Sequence, residues 1–226
     1  MSCFVLIPGA GGDSWYWHRV VPLLVEAGHE VVVVDLPGDD ESFGLPEYVG
    51  LTTEAIGDRD DVVLVAQSLG GFTATMVADR IDVGAVVFVN AMVPTPGETA
   101  GDWWENTGAP RARIEAAERE GYGTDFDPAV YFLHDVAADV LATAEGEPRA
   151  EAGAVFGSVC DFEAWPSVPI RAASGADDRF FPLEFQRSLV RDRLGLEVDV
   201  LPGGHLIALA QPNALATYLI GVNSDR

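Results

Sequence analysis

The chain is predicted to adopt an α/β fold in which a six-stranded, mainly parallel sheet is flanked by helices and carries an inserted helical cap. Six short apolar segments alternate with segments of helical periodicity over most of the 226 residues. The apolar segments are continuous, which is typical of strands buried on both faces of a parallel sheet. Functional sites in such sheets form at the carboxyl ends of the strands.

The first half of the chain contains four predicted strands. Cys3–Ile7 is fully apolar and is closed by Pro8-Gly9. Residues 15–27 have apolar side chains at helical spacing and end at Gly28, so they predict a helix. The same reasoning predicts strands at 30–34, 62–66 and 85–90 and helices at 47–57 and 70–80.

Residues 95–165 interrupt this alternation. The segment has helical stretches near 110–121, 128–144 and 147–156 and holds nine of the 21 aromatic residues. We interpret it as a helical cap on a core made of 1–94 and 166–226, in which the aromatic side chains either line a substrate pocket or form the cap's own small core. Alternation then resumes with predicted strands at 170–174 and 196–201 and helices at 182–193 and 206–220.

The charge balance limits the possible partners. There are 13 Lys+Arg against 36 Asp+Glu, a formal net charge of −23, and every basic residue other than histidine is an arginine. Such a surface repels nucleic-acid phosphates and anionic membranes, so neither is an expected partner. The charge itself is attributed to solubility or to adaptation to a salty cytoplasm.

The cysteines and the amino terminus indicate an intracellular protein. Cys3 and Cys160 are the two cysteines, too few for a disulfide framework. No basic region precedes the first strand, and no apolar stretch approaches the roughly 18 residues needed to span a bilayer. We therefore expect a soluble cytoplasmic protein, either a monomer or a homodimer.

A serine follows the third strand in a distinctive turn. The pentapeptide Ala66-Gln67-Ser68-Leu69-Gly70 separates an apolar strand from a predicted helix. Strand, tight turn and helix with serine at the apex form a nucleophile elbow, in which small residues are needed two before and two after the serine. Alanine replaces the usual first glycine, and it is the next smallest residue. Ser68 is therefore the predicted nucleophile.

A glycine-rich loop follows the first strand. It contains Gly9, Gly11 and Gly12, and a backbone N–H from such a turn can face a substrate carbonyl oxygen. The N–H of Leu69, which follows the nucleophile, would complete an oxyanion hole. The alternative is a phosphate-binding loop. The glycine spacing does not fit G-x-G-x-x-G, and the chain has no lysine for a Walker motif.

A carboxylate and a histidine follow the last two strands. Asp177 and Asp178 lie in the loop after residues 170–174, and either can accept the Nδ1–H of a histidine, so spacing alone leaves the acid open. His205 follows a glycine pair at the start of the closing helix. The order serine, aspartate, histidine is that of α/β-hydrolases. His18, His29 and His134 occupy positions that fit a catalytic role poorly.

These segments together resemble the α/β-hydrolases, and more closely the plant methylesterase and hydroxynitrile lyase branch with its bacterial esterase relatives. The resemblance covers the whole chain except the cap. It rests on the runs Val5 to Ala10 with Trp15 and Trp17, Gln67 to Gly71, Asp178 to Gln186, and Gly203 to His205. It implies that Asp178 is the triad acid and that the backbone N–H groups of Ala10 and Leu69 hold the oxyanion.

The chain departs from this branch at three positions. The lyases carry a threonine in the first loop and a lysine directly after the catalytic histidine, where this chain has Gly9 and Leu206. Without that lysine, no fixed cation would stabilise a departing cyanide. The family's first loop commonly begins with histidine, and here Pro8 takes that position.

The predicted activity is hydrolysis of a small carboxylic ester through an acyl-enzyme, with Ser68, Asp178 and His205 as the triad and no metal or organic cofactor. Gly9, Asn90 and Trp103 are further candidates for contacts with the substrate. Lyase, cyclase or perhydrolase chemistry on the same triad, or a non-catalytic small-molecule receptor, are the alternatives.

Overall fold

The computed structural model describes residues 1–144 and 148–224, and six strands form a single sheet. The strands are β1 (Cys3–Ile7), β2 (Glu30–Val33), β3 (Val62–Gln67), β4 (Ala85–Val89), β5 (Ile170–Gly175) and β6 (Asp199–Leu201). Their order is β2-β1-β3-β4-β5-β6, and every pairing is parallel. The sheet predicted as mainly parallel is thus parallel throughout. The strand order reverses direction between β1 and β3, where open α/β sheets form their binding crevice.

The helices alternate with these strands. A 3₁₀ helix (Ser14–Trp17) precedes α1 (Val21–Glu26), α2 (Leu45–Ile56), α3 (Gly70–Arg80), α4 (Ala100–Thr107), α5 (Ala109–Glu120), α6 (Pro128–Tyr131), α7 (Ala138–Leu141), α8 (Gly153–Gly157), α9 (Leu183–Leu194), α10 (Ile207–Ala210) and α11 (Pro212–Ser224). Within the described ranges, no helix has the length and apolar character needed to cross a membrane. The cytoplasmic location stays a prediction.

Both faces of the sheet are covered. Successive strand residues point to opposite faces, so the continuous apolar runs feed two hydrophobic cores. Val5, Ile7 and Leu64 belong to one core, which α2, α3 and α9 cover. Phe4 and Val63 belong to the other, which α1, α10 and α11 cover. The carboxyl edge between these layers is where the functional loops emerge.

Three helices differ from their predicted extents, and two of them divide at a proline. The predicted helix 15–27 is split into the 3₁₀ helix and α1, and Pro22 lies in the first turn of α1. The predicted helix 206–220 is split between α10 and α11, and Pro212 begins the second part. Proline has no N–H to donate to the preceding turn, so it begins a helix more readily than it continues one. The predicted helix 128–144 is reduced to the single turns α6 and α7.

The segment 95–165 packs on both faces of the sheet. Trp103 and Val155 join the core beneath α2 and α3, whereas Val136 and Val140 join the core beneath α1 and α11. The predicted helix near 147–156 is too long: α8 begins at Gly153, residues 148–152 are not helical, and residue 147 lies outside the described residues. Our division of the chain into a core and a cap stays an interpretation.

Candidate active site

Ser68 lies between β3 and α3, at the carboxyl edge of the sheet. Its φ of 49° is in the left-handed region that residues other than glycine rarely adopt. The Ser68 carbonyl accepts hydrogen bonds from the N–H groups of Gly71 (3.1 Å) and Met92 (2.9 Å), which hold this conformation. A Cβ added at Gly70 would lie 2.5 Å from the Pro8 carbonyl oxygen. A strained serine and a close backbone approach are the features expected of a nucleophile elbow.

The histidine and the aspartate form a continuous chain with this serine. His205 Nε2 lies 3.2 Å from Ser68 Oγ, and His205 Nδ1 lies 2.9 Å from Asp178 Oδ2. All three residues are buried, with exposed fractions of 8% for Ser68, 4% for Asp178 and 2% for His205. An aspartate on Nδ1 leaves Nε2 as the acceptor for the serine proton. The arrangement can thus support nucleophilic catalysis by the serine hydroxyl.

The two adjacent aspartates have different environments. The other carboxylate oxygen of Asp178, Oδ1, accepts hydrogen bonds from the N–H groups of Phe180 (2.8 Å) and Phe181 (2.9 Å). These bonds fix the carboxylate beside His205. Asp177 is exposed on the outer side of the loop. The geometry therefore brings Asp178, and not Asp177, to the histidine.

Two backbone N–H groups flank the serine. Ala10 follows β1 and Leu69 follows Ser68, and among the described residues neither N–H donates a hydrogen bond to a protein acceptor. The first loop lies directly against the nucleophile, since a Cβ added at Gly9 would be 2.8 Å from Ser68 Cβ. Their role as oxyanion donors stays a prediction.

Asn90 has a structural role that the sequence analysis did not anticipate. Its Nδ2 donates to the carbonyls of Gly204 and His205, both at 3.0 Å, and its Oδ1 accepts from Gly175 N–H at 2.7 Å. Asn90 is fully buried, with a φ of 46° that asparagine tolerates better than most residues. Its amide therefore ties β5 to the histidine loop, although it was predicted to contact substrate.

Trp103 and Gly9, the other two predicted substrate contacts, lie at different depths. Trp103 is fully buried, its indole N–H donates to the Val93 carbonyl, and its ring packs against Phe181. Gly9 lies beside Ser68, where an added Cβ would be only 2.3 Å from Gln67 Oε1. Phe181 thus separates Trp103 from the His205 ring, whereas Gly9 lies next to Ser68. Their contact with substrate stays a prediction.

Gln67 also contacts His205. Its Nε2 lies 3.2 Å from His205 Nε2 and 3.5 Å from the His205 carbonyl. The amide therefore approaches the same imidazole nitrogen as the Ser68 hydroxyl. Gln67 directly precedes Ser68 in the sequence, and this position could have suggested the contact.

Three phenyl rings surround the imidazole. Phe132 stacks on His205 with ring centres 5.1 Å apart and an interplanar angle of 26°. Phe180 and Phe181 meet it edge-on at 5.1 and 5.2 Å. A cavity of about 400 Å³ lies beside the loop that follows β5, and its lining includes Asp178 but not Ser68. Three phenyl rings thus give His205 apolar neighbours, and Phe132 is the one among them that comes from residues 95–165.

The two cysteines are not candidate nucleophiles. Burial raises the pKa of the Cys160 thiol to about 12 and also raises the pKa of Cys3. The thiolate, not the thiol, is the nucleophilic form, so both side chains are inert at neutral pH. Ser68 is the nucleophilic side chain that the geometry supports.

Comparisons with known proteins agree with the fold. A family model described as the alpha/beta hydrolase family matches residues 4–217. Methylesterase 9 from Arabidopsis thaliana is 35% identical over 108 aligned residues, 42% of this chain and 41% of that protein. Polyneuridine aldehyde esterase from Rauvolfia serpentina is 24% identical over 254 aligned positions, 98% of this chain and 96% of that protein. In its matches to methylesterases 9 and 7, the chain spans about two fifths of the relatives' length.

Solved structures share the fold over almost the entire chain. The crystal structure of polyneuridine aldehyde esterase has a TM-score of 0.80 at 21% identity, covering 98% of this chain and 99% of that one. A pyrethroid hydrolase from Sphingobium faniae JZ-2 has a TM-score of 0.76 at 20% identity, covering 99% and 97%. At such identities the likeness concerns the fold.

Proposed function

This chain belongs to the alpha/beta hydrolase family, and we propose that it is a serine hydrolase that cleaves a small carboxylic ester. The observation that carries the proposal is the hydrogen-bonded chain from Ser68 through His205 to Asp178. Such a chain activates a serine hydroxyl that would otherwise be a weak nucleophile. The methylesterases and esterases among its relatives support an ester as the substrate class.

In the first step, Ser68 Oγ attacks the ester carbonyl carbon and His205 Nε2 takes the serine proton. Asp178 accepts the Nδ1–H and stabilises the imidazolium that forms. The carbonyl oxygen becomes an oxyanion, held by the N–H groups of Ala10 and Leu69. Collapse of the tetrahedral intermediate breaks the bond to the alcohol oxygen, which receives its proton from His205 and leaves.

In the second step, water replaces the alcohol. His205 Nε2 takes a proton from the water as its oxygen attacks the acyl carbon of the Ser68 ester. The second tetrahedral intermediate collapses, the carboxylic acid leaves and the proton returns to Ser68 Oγ. Every proton in this cycle passes through His205, so the mechanism requires neither a metal nor an organic cofactor.

The residues beside the site favour hydrolysis over cyanohydrin cleavage. Leu206 follows the histidine, so that position supplies no cation for a departing cyanide. A Cβ added at Gly9 would lie 2.8 Å from Ser68 Cβ, so a threonine side chain there would require the loop to move. Both positions support acyl transfer as the reaction on this triad.

The substrate is proposed to be a small ester with an apolar portion next to the carbonyl. Phe132 and Phe180 lie against His205 and offer apolar surface beside the reacting atoms. Apolar and aromatic walls with a few polar groups are the usual composition of small-molecule sites. The strongly acidic surface also disfavours anionic substrates through repulsion.

The proposal is tested by initial rates on p-nitrophenyl esters from acetate to octanoate. We expect Ser68→Ala to lower kcat by a factor on the order of 10⁶, because loss of the nucleophile removes acyl-enzyme formation. Ser42→Ala, at an exposed serine remote from the elbow, is the matched control and should retain the wild-type rate. Hydrolysis that persists in Ser68→Ala would rule out the triad.

A further inference from the structure

The loop expected to supply an oxyanion donor has few side chains of its own. Gly12 N–H donates to the Gly9 carbonyl at 3.1 Å and closes a four-residue turn with Ala10 and Gly11 at its centre. Gly11 has a φ of +87°, the value that a type II turn requires at its third residue. Glycine has the largest conformational freedom of any residue, so such a turn must be held by external contacts.

One of these contacts comes from a carboxylate far along the chain. Glu151 Oε2 accepts a hydrogen bond from Gly11 N–H at 2.6 Å. Its Oε1 accepts from the hydroxyl of Tyr48, a buried residue of α2, at 2.8 Å. Tyr48 thus fixes one carboxylate oxygen while the other holds the peptide between Ala10 and Gly11.

The neighbouring backbone places Glu151 firmly at this turn. Ala152 N–H donates to the Gly38 carbonyl at 2.6 Å, and a Cβ added at Gly11 would lie 2.6 Å from the Arg149 carbonyl oxygen. The backbone of residues 149–152 therefore runs directly past the turn. The contact between Glu151 and Gly11 joins two segments that are 140 residues apart.

We propose that Glu151 is a positioning residue for the oxyanion loop, and the inference rests on the proposed serine hydrolase function. By accepting the Gly11 N–H, its carboxylate holds the turn Gly9–Gly12 in one conformation, with the preceding Ala10 N–H left free for the substrate oxyanion. Preorganised donors are effective because they need no reorganisation as charge develops. A loosened turn would weaken transition-state binding more than substrate binding.

Glu151 is half-buried, and both burial and its hydrogen bonds affect its ionisation. Burial raises its pKa above the ordinary value, although the Tyr48 hydroxyl, the Gly11 N–H and the Arg149 guanidinium act in the opposite direction. A carboxyl whose pKa is raised on folding stabilises the fold below its unfolded pKa, and this contribution is lost as the pH rises through the folded value. A raised pKa means that ionisation of Glu151 lowers the stability of the fold, whereas the hydrogen bond from the Gly11 N–H favours the ionised form.

The test compares Glu151→Ala and Glu151→Gln with Glu41→Ala. Glu41 is an exposed carboxylate that caps α8 by accepting from Gly153 and Ala154, so its loss loosens the same segment without touching Gly11. We expect Glu151→Ala to lower kcat about tenfold with little change in KM, less than the 10²–10³ that follows outright loss of a donor. Glu151→Gln should recover part of the rate, because its amide oxygen can accept from Gly11, and Glu41→Ala should match wild type.

Amide hydrogen exchange supplies a readout besides activity. Peptides containing Gly11 should exchange at least tenfold faster in Glu151→Ala than in wild type or Glu41→Ala. Unchanged exchange, or a kcat for Glu151→Ala within twofold of that for Glu41→Ala, would overturn the inference. A rise in KM alone would also overturn it, since that result assigns Glu151 to substrate binding.

The positioning role of Glu151 and the proposed hydrolase function can each fail without the same experimental result. If hydrolysis requires Ser68 but is unaffected by Glu151→Ala, only the positioning role is wrong and the proposed function stands. If hydrolysis persists in Ser68→Ala, the proposed function fails and the oxyanion role of the loop fails with it. A stable fold in each variant is established by its melting temperature before rates are compared.

Discussion

The two sides of Ser68 are held in place by different kinds of contact. On the acid–histidine side, Asn90 and Asp178 are buried and each makes three hydrogen bonds. On the oxyanion side, a glycine turn is held by the half-buried Glu151, which comes from a distant segment. His205 is thus held by residues of the sheet core, whereas the glycine turn on the other side of Ser68 depends on residues 95–165.

The two kinds of contact differ in how easily they open. Contacts buried in the sheet core open only with large parts of the fold, whereas a contact on a surface loop can open locally. We therefore expect substitutions on the acid–histidine side to have the larger effect on rate. Substitutions that loosen residues 95–165 should act on stability first and on catalysis second.

The largest expected effect on the acid–histidine side is that of Asp178→Asn. An amide can present its N–H₂ to Nδ1 and so favour the wrong tautomer of His205, which lowers kcat by about 10⁴ in a comparable triad. Asp177→Asn, one residue away and exposed, is the matched control and should keep the wild-type rate. Equal losses in the two variants, measured by steady-state kinetics, would contradict the assignment of the acid.

The attachment of residues 95–165 to the core is best broken at Glu98. Its carboxylate accepts two hydrogen bonds from Arg193 of α9, at 2.5 and 2.9 Å, and its side chain is 3% exposed. Removing one partner of a buried ion pair leaves the other charge uncompensated, which costs about 3–5 kcal/mol. We expect Glu98→Gln to lower the free energy of unfolding by about 3 kcal/mol in urea titrations, with kcat changed much less than by Asp178→Asn.

The same pair predicts a pH dependence. Burial would raise the pKa of Glu98, but hydrogen bonds from Arg193 and Asn106 outweigh it and bring the value below the ordinary 4.5. A lowered carboxyl pKa contributes stability above the unfolded pKa, and that contribution is lost as the pH falls through the folded value. The stability difference between wild type and Glu98→Gln should therefore be constant from pH 7 to 5.5 and shrink below about 4.5. A difference that grows on acidification would contradict this sign.

Asn90→Gly tests the acid–histidine side by removing the side chain while leaving the backbone conformation accessible. Glycine accepts the φ of 46°, so the backbone stays unstrained while three hydrogen bonds disappear. Buried groups left unpaired cost about 1–3 kcal/mol each, and partial hydration reduces the sum, so we expect a loss of about 2–3 kcal/mol in unfolding free energy. Release of the histidine loop should lower kcat about tenfold, equivalent to about 1.4 kcal/mol. An unchanged kcat would assign Asn90 to folding alone.

The fold could be predicted from the sequence largely because the strands are apolar along their whole length. Five strands lie within one or two residues of their predicted ends, since burial on both faces leaves little ambiguity. The last strand begins at Asp199 rather than at residue 196, because its pairing with β5 at the sheet edge covers Asp199 to Leu201. Helices containing Pro22 and Pro212 were predicted too long, since helical spacing continued across each proline.

The candidate site could likewise be predicted only in part. Ser68 and His205 could be nominated because each stands in a short local pattern at a strand end, whereas the choice of Asp178 over Asp177 needed the family resemblance. The structure brings the three side chains together. Their catalytic roles stay predictions. The contacts of Asn90 and Glu151 join residues about 85 to 140 positions apart, and no local pattern records such a pairing.

The smallest expected effect comes from the ring that residues 95–165 place on the histidine. Phe132 stacks on His205 at 5.1 Å, and a ring face attracts the imidazolium that forms only during reaction. Phe132→Leu keeps apolar volume but removes the π-face, so a loss of about 0.5–1 kcal/mol, or two- to fivefold in kcat, is expected.

Phe126→Leu is the matched control for this ring. Phe126 packs edge-on against Phe132 at 5.5 Å and is half exposed, so its loss disturbs the same ring cluster one ring farther from the imidazole. Steady-state rates for both variants should show a fall in kcat for Phe132→Leu alone. Because the imidazolium is absent from the ground state, KM should change little in either. A matched rise in KM in both variants would instead assign the rings to substrate binding. Both sides of Ser68 would then depend on contacts made by residues 95–165.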